Sequence, residues 1–144
     1  MDQLIYNDIL GVSLLAWVLA QLSKLLVYLL REGKLRARYL TSSGGMPSSH
    51  SALVVALATR VGMDYGVRGG EFAIAAIFAA VVLYDAAGVR QAVSHQARIL
   101  NRMLEEVFEY QRFSEKRLLE LLGHTPFEVF VGLLLGLITA LSWT

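Results

Sequence analysis

The sequence predicts an all-α fold: a small helical bundle embedded in a membrane, with about four spans and an amphipathic helical segment at its surface. Hydrophobic residues make up 56% of the 144 residues and charged residues only 17%, whereas about a quarter of the residues of a soluble domain are charged. The mean hydropathy is +0.53. Apolar runs near both ends have about the length needed to cross a bilayer. The length predicts one domain, residues 1–144.

The composition excludes several classes of function. The chain has no cysteine, so disulfides, thiolate metal sites and thiol catalysis are excluded. Lysine and arginine total 13 against 12 acidic residues, and this balance gives no reason to expect a nucleic-acid partner. The histidines lack the close spacing of a metal-binding pair on one helix. We therefore expect no metal and no cofactor.

The first predicted span runs from Ile9 to Leu30 and is long enough to cross a bilayer. The residues before it include two aspartates and no basic residue, unlike a cleaved signal peptide, so we expect the segment to be retained. Lys24 lies near its far end, where the ammonium group either reaches the interface or faces a polar pocket. The connector Arg31–Arg38 carries four positive charges, which predicts a cytoplasmic location.

The chemically most distinctive stretch is Ser42–Ser51, which contains two glycines, a proline, several serines and His50. Pro47 suits the first turn of a helix, and Ser48 or Ser49 suits its N-cap. Glycines let a backbone approach a ligand closely, and a helix start attracts phosphate. His50 adds a group that exchanges protons near neutral pH. A phosphate-binding loop and an ordinary capped helix are both consistent with this pattern.

A second, short span is predicted over Ser51–Val61, with residues 47–50 as its first turn. Residues 62–70 have the composition of a turn. A third span runs from about Phe72 to Ala87, and Asp85 and Arg90 mark its end.

The segment Gln91–Leu122 mixes charges with apolar residues at helical spacing. This pattern predicts an amphipathic segment on the membrane surface, with a coiled partner helix as the alternative. His95 stands among polar neighbours on it and is expected to be solvated.

The last span is predicted over Phe127–Trp143. The sequence before and at its start, residues 124–128, reads His-Thr-Pro-Phe-Glu and fits a capping box with Thr125 as N-cap and Glu128 reaching back. Glu128 also lies one turn after His124, so it is equally suited to orient that imidazole by a hydrogen bond. Gly132 and Gly136 form a pair of small residues suited to a helix contact.

Four spans with a cytoplasmic basic connector place the polar groups on one side of the membrane. The loop with His50, the Asp85–Arg90 stretch and His124 then all face the cytoplasm. An active site on the cytoplasmic side of an inner or plasma membrane follows from this arrangement.

Three motifs together resemble the divergent branch of the type 2 phosphatidic acid phosphatase superfamily, whose wider kin include vanadium-dependent haloperoxidases. They are residues 44–52, residues 84–90 and residues 123–129. The resemblance extends from Lys24 to Leu141. The superfamily pattern Pro-Ser-Gly-His is matched by residues 47–50 with serine in place of glycine. The final His-x3-Asp is matched by His124 and Glu128.

The resemblance implies metal-independent hydrolysis of a phosphomonoester through a phosphohistidine. His124 would attack phosphorus, oriented by Glu128, and His50 would protonate the leaving alkoxide. The phosphate would be held by cations, hydroxyls and N–H groups. The residues concerned are Lys24, Arg31 or Arg38, Ser48, Ser49 and Arg90 with Asp85 beside it. Glu32 stands where the superfamily has a proline, and Leu118 stands where it has an arginine, for which Arg90 is the substitute.

The expected substrate is a lipid phosphate made on the cytoplasmic face, such as phosphatidylglycerophosphate or phosphatidic acid. The alternative is a non-catalytic membrane protein that binds lipid headgroups or scaffolds a partner. A transporter subunit has less support, since no internal repeat is detectable. So few helices make a thin bundle, and we expect a homodimer with the Gly132/Gly136 face as one candidate contact.

Overall fold

The computed structural model describes residues 7–33, 45–108 and 124–143. These residues form helices joined by turns, and none of them is in a strand, which confirms the all-α prediction for this part of the chain. The elements in chain order are α1 (Asp8–Glu32), α2 (Ser49–Tyr65), α3 (Gly70–Tyr84), a π-helical segment (Asp85–Val89), α4 (Arg90–Phe108) and α5 (Pro126–Ser142).

Helix α1 is held by a side chain at its start and a glycine at its end. The Asn7 side chain accepts a hydrogen bond of 3.0 Å from the Leu10 N–H. At the other end Gly33 adopts the left-handed conformation, with φ 66°, and its N–H donates to the Leu29 carbonyl at 2.9 Å. Glycine takes this conformation without a Cβ penalty, so the apolar run ends as a helix where the basic connector begins.

Helix α2 is the central helix of the bundle. It packs against α1, α3 and α5, and α1 also packs against α5. The core shared by α1, α2 and α5 consists of one valine and five alanines, all fully buried. They are Val12, Ala16, Ala20, Ala52, Ala56 and Ala140. Such small side chains let helix backbones approach closely, which is how helices associate where lipid removes the hydrophobic driving force.

Helices α2 and α5 run parallel in close contact. A Cβ added at Gly132 would meet the Ser48 carbonyl and lie 3.0 Å from the Ser51 Cβ. A Cβ added at Gly136, one turn later, would meet the Ala52 carbonyl. The same step of four residues on both helices shows that they share a direction. The glycine face is therefore occupied inside the chain, so its prediction as a dimer contact is wrong, and a homodimer would need another surface.

The C-terminal ends of α2 and α5 are connected by Arg60. The Arg60 guanidinium donates to the Trp143 carbonyl at 3.2 Å and pairs with Asp64 at 3.1 Å. A Cβ at Gly62 would lie 3.0 Å from the Phe72 ring, so α3 starts at this end and runs back antiparallel to α2. The starts of α2 and α5 and the end of α3 consequently lie together at the opposite end.

The prediction of about four spans is not confirmed. Two helical stretches have the length and apolar composition of a span, Asp8–Leu30 and Gly70–Gly88, and Pro126–Ser142 is a shorter apolar helix. Helix α2 is less apolar because its inner position between three neighbours accommodates serines, His50 and Arg60. A bundle with two candidate spans is what the described residues support.

Three boundaries differ from the prediction. Helix α2 continues to Tyr65, beyond the predicted end at Val61, so the predicted turn is confined to residues 66–69. Pro47 was expected in the first turn of α2, but the helix starts at Ser49 and Ser48 is the N-cap, so Pro47 precedes the cap. The third helix ends earlier as an α-helix, because the π-helical segment begins at Asp85. The amphipathic segment is confirmed as helix over Arg90–Phe108, and its remainder, residues 109–122, lies outside the described residues.

Candidate active site

The start of α2 is organised by Ser48. Its hydroxyl oxygen accepts hydrogen bonds from the Ser51 N–H at 3.3 Å and from the Ser51 hydroxyl at 2.9 Å. Ser48 and Ser51 are both fully buried, and Ser49 is 2% exposed. This is a side-chain N-cap inside the protein, where a lost partner would leave a buried donor unsatisfied. The cap fixes the direction in which the first turn, including His50, leaves the loop.

A backbone hydrogen bond joins the start of α2 to the start of α5. The Ser48 N–H donates to the Glu128 carbonyl at 3.1 Å. Both the N–H and the hydroxyl of Ser48 are thereby engaged within the protein. Of the two serines predicted to hold phosphate, Ser49 has the more suitable position, because the first N–H groups of a helix have no intrahelical acceptor.

The two histidines of the predicted motifs meet at this junction. His124 immediately precedes the N-cap of α5 and is fully buried. Its ring centroid lies 6.3 Å from that of His50, and the ring planes are inclined by 77°. The arrangement is edge-to-face, not stacked. Residues far apart in the sequence thus bring two proton-exchanging groups to one buried point.

Thr125 and Glu128 form the capping box that the sequence predicts. The Thr125 hydroxyl accepts from the Glu128 N–H at 3.3 Å, and the Thr125 N–H donates to the Glu128 carboxylate at 2.8 Å. The capping interpretation of Glu128 is therefore confirmed. The other interpretation, that Glu128 orients His124, stays a prediction, and the two roles are compatible because a carboxylate has two oxygens.

Lys24 faces the interior of the bundle. It continues the buried stripe Val12, Ala16 and Ala20 at steps of four residues and is itself 1% exposed. A lysine that reached the interface would expose its ammonium group. The structure therefore favours the other prediction, that Lys24 faces the interior. Glu128 acts on it electrostatically. Lys24 thus faces the core of the bundle, within electrostatic range of Glu128 in the first turn of α5.

The π-helical segment brings the motif of residues 84–90 towards the same end. It contacts α5, Ala86 within it is 1% exposed, and Asp85 is half-buried. Segments of π-helix in other proteins occur frequently at functional sites. Arg90 begins α4 and Arg31 lies in the last turn of α1, but their side chains, like all of Arg38, lie outside what the structure describes. His95 is exposed, as predicted.

Tyr28 is a residue of this region that the sequence analysis missed. It lies one turn after Lys24 on α1, and its hydroxyl would be 2.8 Å from a Cβ added at Gly45. Gly45 has φ 97°, a conformation that favours glycine. The signal was the four-residue spacing from Lys24, which places both side chains on one face of a helix.

No group of three or more histidine, aspartate or glutamate side chains among the described residues is arranged to hold a metal ion.

The family assignment comes from comparison with known sequences. The profile described as the divergent PAP2 family matches residues 5–139. The chain belongs to the divergent PAP2 family. The match spans the basic connector and also both histidine motifs and the π-helical segment, which meet at the junction described above. It establishes the divergent branch that the three motifs predict.

A relative of this divergent PAP2 protein comes from Bacillus subtilis (strain 168) and carries the name uncharacterized membrane protein YuiD. It is 39% identical over 153 aligned positions, which cover 96% of this chain and 95% of the relative. The relative's name and the two candidate spans agree on association with a membrane. No solved structure matches the chain significantly.

Proposed function

We propose that this divergent PAP2 protein hydrolyses a lipid phosphate monoester in the membrane through a phosphohistidine intermediate. The observation that carries the proposal is the pair of histidines, His50 and His124, with ring centroids 6.3 Å apart at the joined starts of α2 and α5. A site that only binds phosphate needs cations and N–H groups. Two imidazoles close together can supply both a nucleophile and an acid–base group.

In the first step a ring nitrogen of His124 attacks phosphorus, and the bond between phosphorus and the ester oxygen breaks. His50 donates a proton to the leaving alkoxide. Attack distances are about 3–3.5 Å and proton-transfer distances about 2.6–3.2 Å, so both rings must lie close to one phosphoryl group. Ring centroids 6.3 Å apart support this, and the rings move apart when a phosphoryl group enters between the reacting nitrogens.

In the second step His50 accepts a proton from water. The resulting hydroxide attacks the phosphohistidine, the bond between nitrogen and phosphorus breaks, and phosphate leaves while His124 is regenerated. Lys24, Ser49 and the first N–H groups of α2 stabilise the equatorial oxygens, where charge is carried through the transition state. Arg31 or Arg38, and Arg90 with Asp85, complete this set in the proposal, while Ser48 holds the loop in place.

The substrate class follows from the surroundings of the site. Both candidate spans expose large apolar side chains, for example Leu22, Leu26, Ile74 and Ile77. A phosphate site at the end of such helices suits a lipid phosphate better than a soluble sugar phosphate. The basic connector favours the cytoplasmic face, where phosphatidylglycerophosphate and phosphatidic acid are the candidate substrates.

Two observations favour a second function, the binding of lipid headgroups without catalysis. The hydrogen bond that the structure gives the Glu128 carboxylate goes to the Thr125 backbone, so the group expected to orient His124 serves the helix cap. Leu118 in place of the superfamily arginine points the same way.

The deciding experiment measures phosphate release by the purified protein in mixed micelles, with EDTA present. The substrates are phosphatidylglycerophosphate, phosphatidic acid and a polyprenyl diphosphate, and the variants are His124→Ala and His50→Ala. We expect release from one monoester lipid, loss of release in His124→Ala and strong reduction in His50→Ala. Acid-labile labelling of the wild-type protein by a ³²P-labelled substrate, absent in His124→Ala, would identify the phosphohistidine.

The headgroup-binding function predicts a different set of results. The protein would then release no phosphate from any of the three lipids and would bind lipid-phosphate micelles equally well with either histidine replaced. Release that persists in His124→Ala would contradict the phosphohistidine mechanism.

A further inference from the structure

We infer that Tyr28 is a positioning residue that holds the Gly45–Ser48 loop in the conformation that binds phosphate. The inference rests on the proposed phosphate site, but it concerns binding and not the chemical step. It assigns a role to a side chain that belongs to none of the three family motifs.

The first argument is the contact between Tyr28 and the loop. A Cβ built on Gly45 would lie 2.8 Å from the Tyr28 hydroxyl, 3.2 Å from Cε2 and 3.3 Å from Cζ. A side chain at this position would therefore displace the tyrosine ring or the loop. Because Gly45 also has φ 97°, both the close contact with the ring and the backbone conformation favour glycine.

The second argument is what the loop carries. Gly45 is followed after two residues by Ser48, whose hydroxyl caps α2 and whose N–H is bonded to the Glu128 carbonyl. Pro47 and Ser48 are buried. A shift of Gly45 would be transmitted through Met46 and Pro47 to the cap, and from the cap to the first turn of α2 with Ser49 and His50.

The third argument is the position of Tyr28 on α1. It lies four residues after Lys24, which is 1% exposed and faces the start of α5. Residues four apart share a helix face, so one face of α1 supplies both a buried cation and the ring that covers the loop. Any displacement of the loop relative to Lys24 would separate two parts of the phosphate site.

The experiment measures the affinity of the full-length protein in detergent for orthovanadate and inorganic phosphate, by calorimetry and by inhibition of lipid phosphate release. The single variants are Tyr28→Phe, Tyr28→Ala and Gly45→Ala. The double variant combines Tyr28→Ala with Gly45→Ala. We expect Tyr28→Ala to weaken phosphate affinity about tenfold, and Tyr28→Phe, which retains Cε2 and Cζ, to weaken it less than about threefold. In lipid hydrolysis Tyr28→Ala should raise KM more than it lowers kcat.

Gly33→Ala is the matched control for Gly45→Ala. Gly33 also has a positive φ, 66°, but nothing lies within 4 Å of an added Cβ. Both variants place alanine at a positive φ, which strains the backbone. Only in Gly45→Ala does the added Cβ also contact the Tyr28 ring. We expect Gly45→Ala to weaken phosphate binding, Gly33→Ala to leave it unchanged, and the effect of Gly45→Ala to be smaller in the Tyr28→Ala background, since the ring that it meets has been removed.

Several results would overturn the inference. They are an unchanged phosphate affinity in Tyr28→Ala, equal effects of Gly45→Ala and Gly33→Ala, additive effects of Tyr28→Ala and Gly45→Ala, and no phosphate binding by the wild-type protein. If the wild-type protein binds phosphate but releases none from any lipid, and Tyr28→Ala still weakens binding, the catalytic function fails and the positioning role of Tyr28 stands.

Discussion

Glu128 is the residue at which structural and catalytic roles have to be separated. Its carboxylate accepts the Thr125 N–H in the capping box and acts electrostatically on the buried Lys24. Glutamine can take the place of glutamate in a capping box, but it carries no negative charge. A single substitution can therefore keep the cap and delete the charge.

We expect Glu128→Gln to leave the melting temperature in detergent nearly unchanged and to lower kcat/KM for lipid phosphate by about a hundredfold, the lower end of what a positioned acid–base group contributes. Thr125→Ala is the matched control, because it removes the hydroxyl side of the same cap. It should lower the free energy of unfolding by about 1 kcal/mol and leave kcat/KM of the folded protein unchanged. Full activity in Glu128→Gln would restrict Glu128 to capping.

Lys24 is the other residue whose role follows from its burial. A charged side chain within a span is costly and faces the bundle interior when it is functional. We expect Lys24→Met, which keeps most of the volume, to reduce phosphate release by at least about a hundredfold, because a charge-assisted contact to the substrate is lost in a buried site. The melting temperature in the same detergent should fall little. Retained activity together with a large loss of stability would show that Lys24 serves the fold alone.

At the scale of helices, the close contact of α5 with α2 sets the distance between the two histidines. A Cβ at Gly132 would meet the Ser48 carbonyl, which is backbone and cannot rotate away. We expect Gly132→Ala to push α5 off α2, to destabilise the protein by about 1–3 kcal/mol, as overpacking does, and to lower activity. Melting curves and phosphate release measure both effects.

Gly11→Ala is the control for Gly132→Ala. Gly11 lies within α1 with nothing within 4 Å of an added Cβ, so alanine should stabilise the helix by up to about 1 kcal/mol. Destabilisation by Gly11→Ala as large as that by Gly132→Ala would contradict the close-packing explanation.

Helix α4 has an exposed apolar face beside exposed basic residues. Val93, Leu100 and Met103 are 42–55% exposed, and Arg98 and Arg102 are exposed as well. Because α4 continues from the candidate span Gly70–Gly88, we expect it to lie on the membrane surface with the apolar face towards lipid.

The absence of cysteine makes the orientation of α4 testable by single labels. Nitroxides at Val93→Cys and Leu100→Cys should be reached by oxygen more than by a soluble nickel complex, and one at Arg98→Cys should show the reverse. Equal accessibility at all three positions would place α4 in water.

At the scale of the whole molecule, the structure shows which residues lie at each end of the bundle. Asp64 and Trp143 lie at one end through their shared contact with Arg60, and Thr125 lies at the other with the two histidines. Single cysteines at Asp64 and Ser142 should therefore react from the same side of the membrane, and one at Thr125 from the opposite side. By the charge of Arg31–Arg38 we expect Thr125→Cys to react from the cytoplasm.

Membrane-impermeant maleimide applied to intact cells and to inverted vesicles distinguishes these cases. Labelling of Asp64→Cys and Thr125→Cys from the same side would contradict the bundle as a transmembrane unit. Labelling of both Asp64→Cys and Ser142→Cys from the cytoplasm would leave the bundle intact but overturn the proposed cytoplasmic active site.

The sequence by itself determined the helical class, the membrane-like composition, the capping box of Thr125 and Glu128, an N-cap at either Ser48 or Ser49, and the family. These are local or compositional properties: a cap needs residues within one turn of each other, and apolar runs need no partner to be recognised. The boundaries of α1 and α5 could be predicted to within about two residues for the same reason.

Only the tertiary structure decided which neighbour covers each helix face. It turned Lys24 inward, placed the Gly132 face against α2 and not a second copy, and brought His50 to His124. It also revealed the contact of Tyr28 with Gly45. Helical periodicity states that a face is apolar or small, but the surface that covers it depends on packing between segments distant in the chain. Three short polar motifs lie near one another because α2 and α5 start together at the same end of the bundle, where the π-helical segment contacts α5.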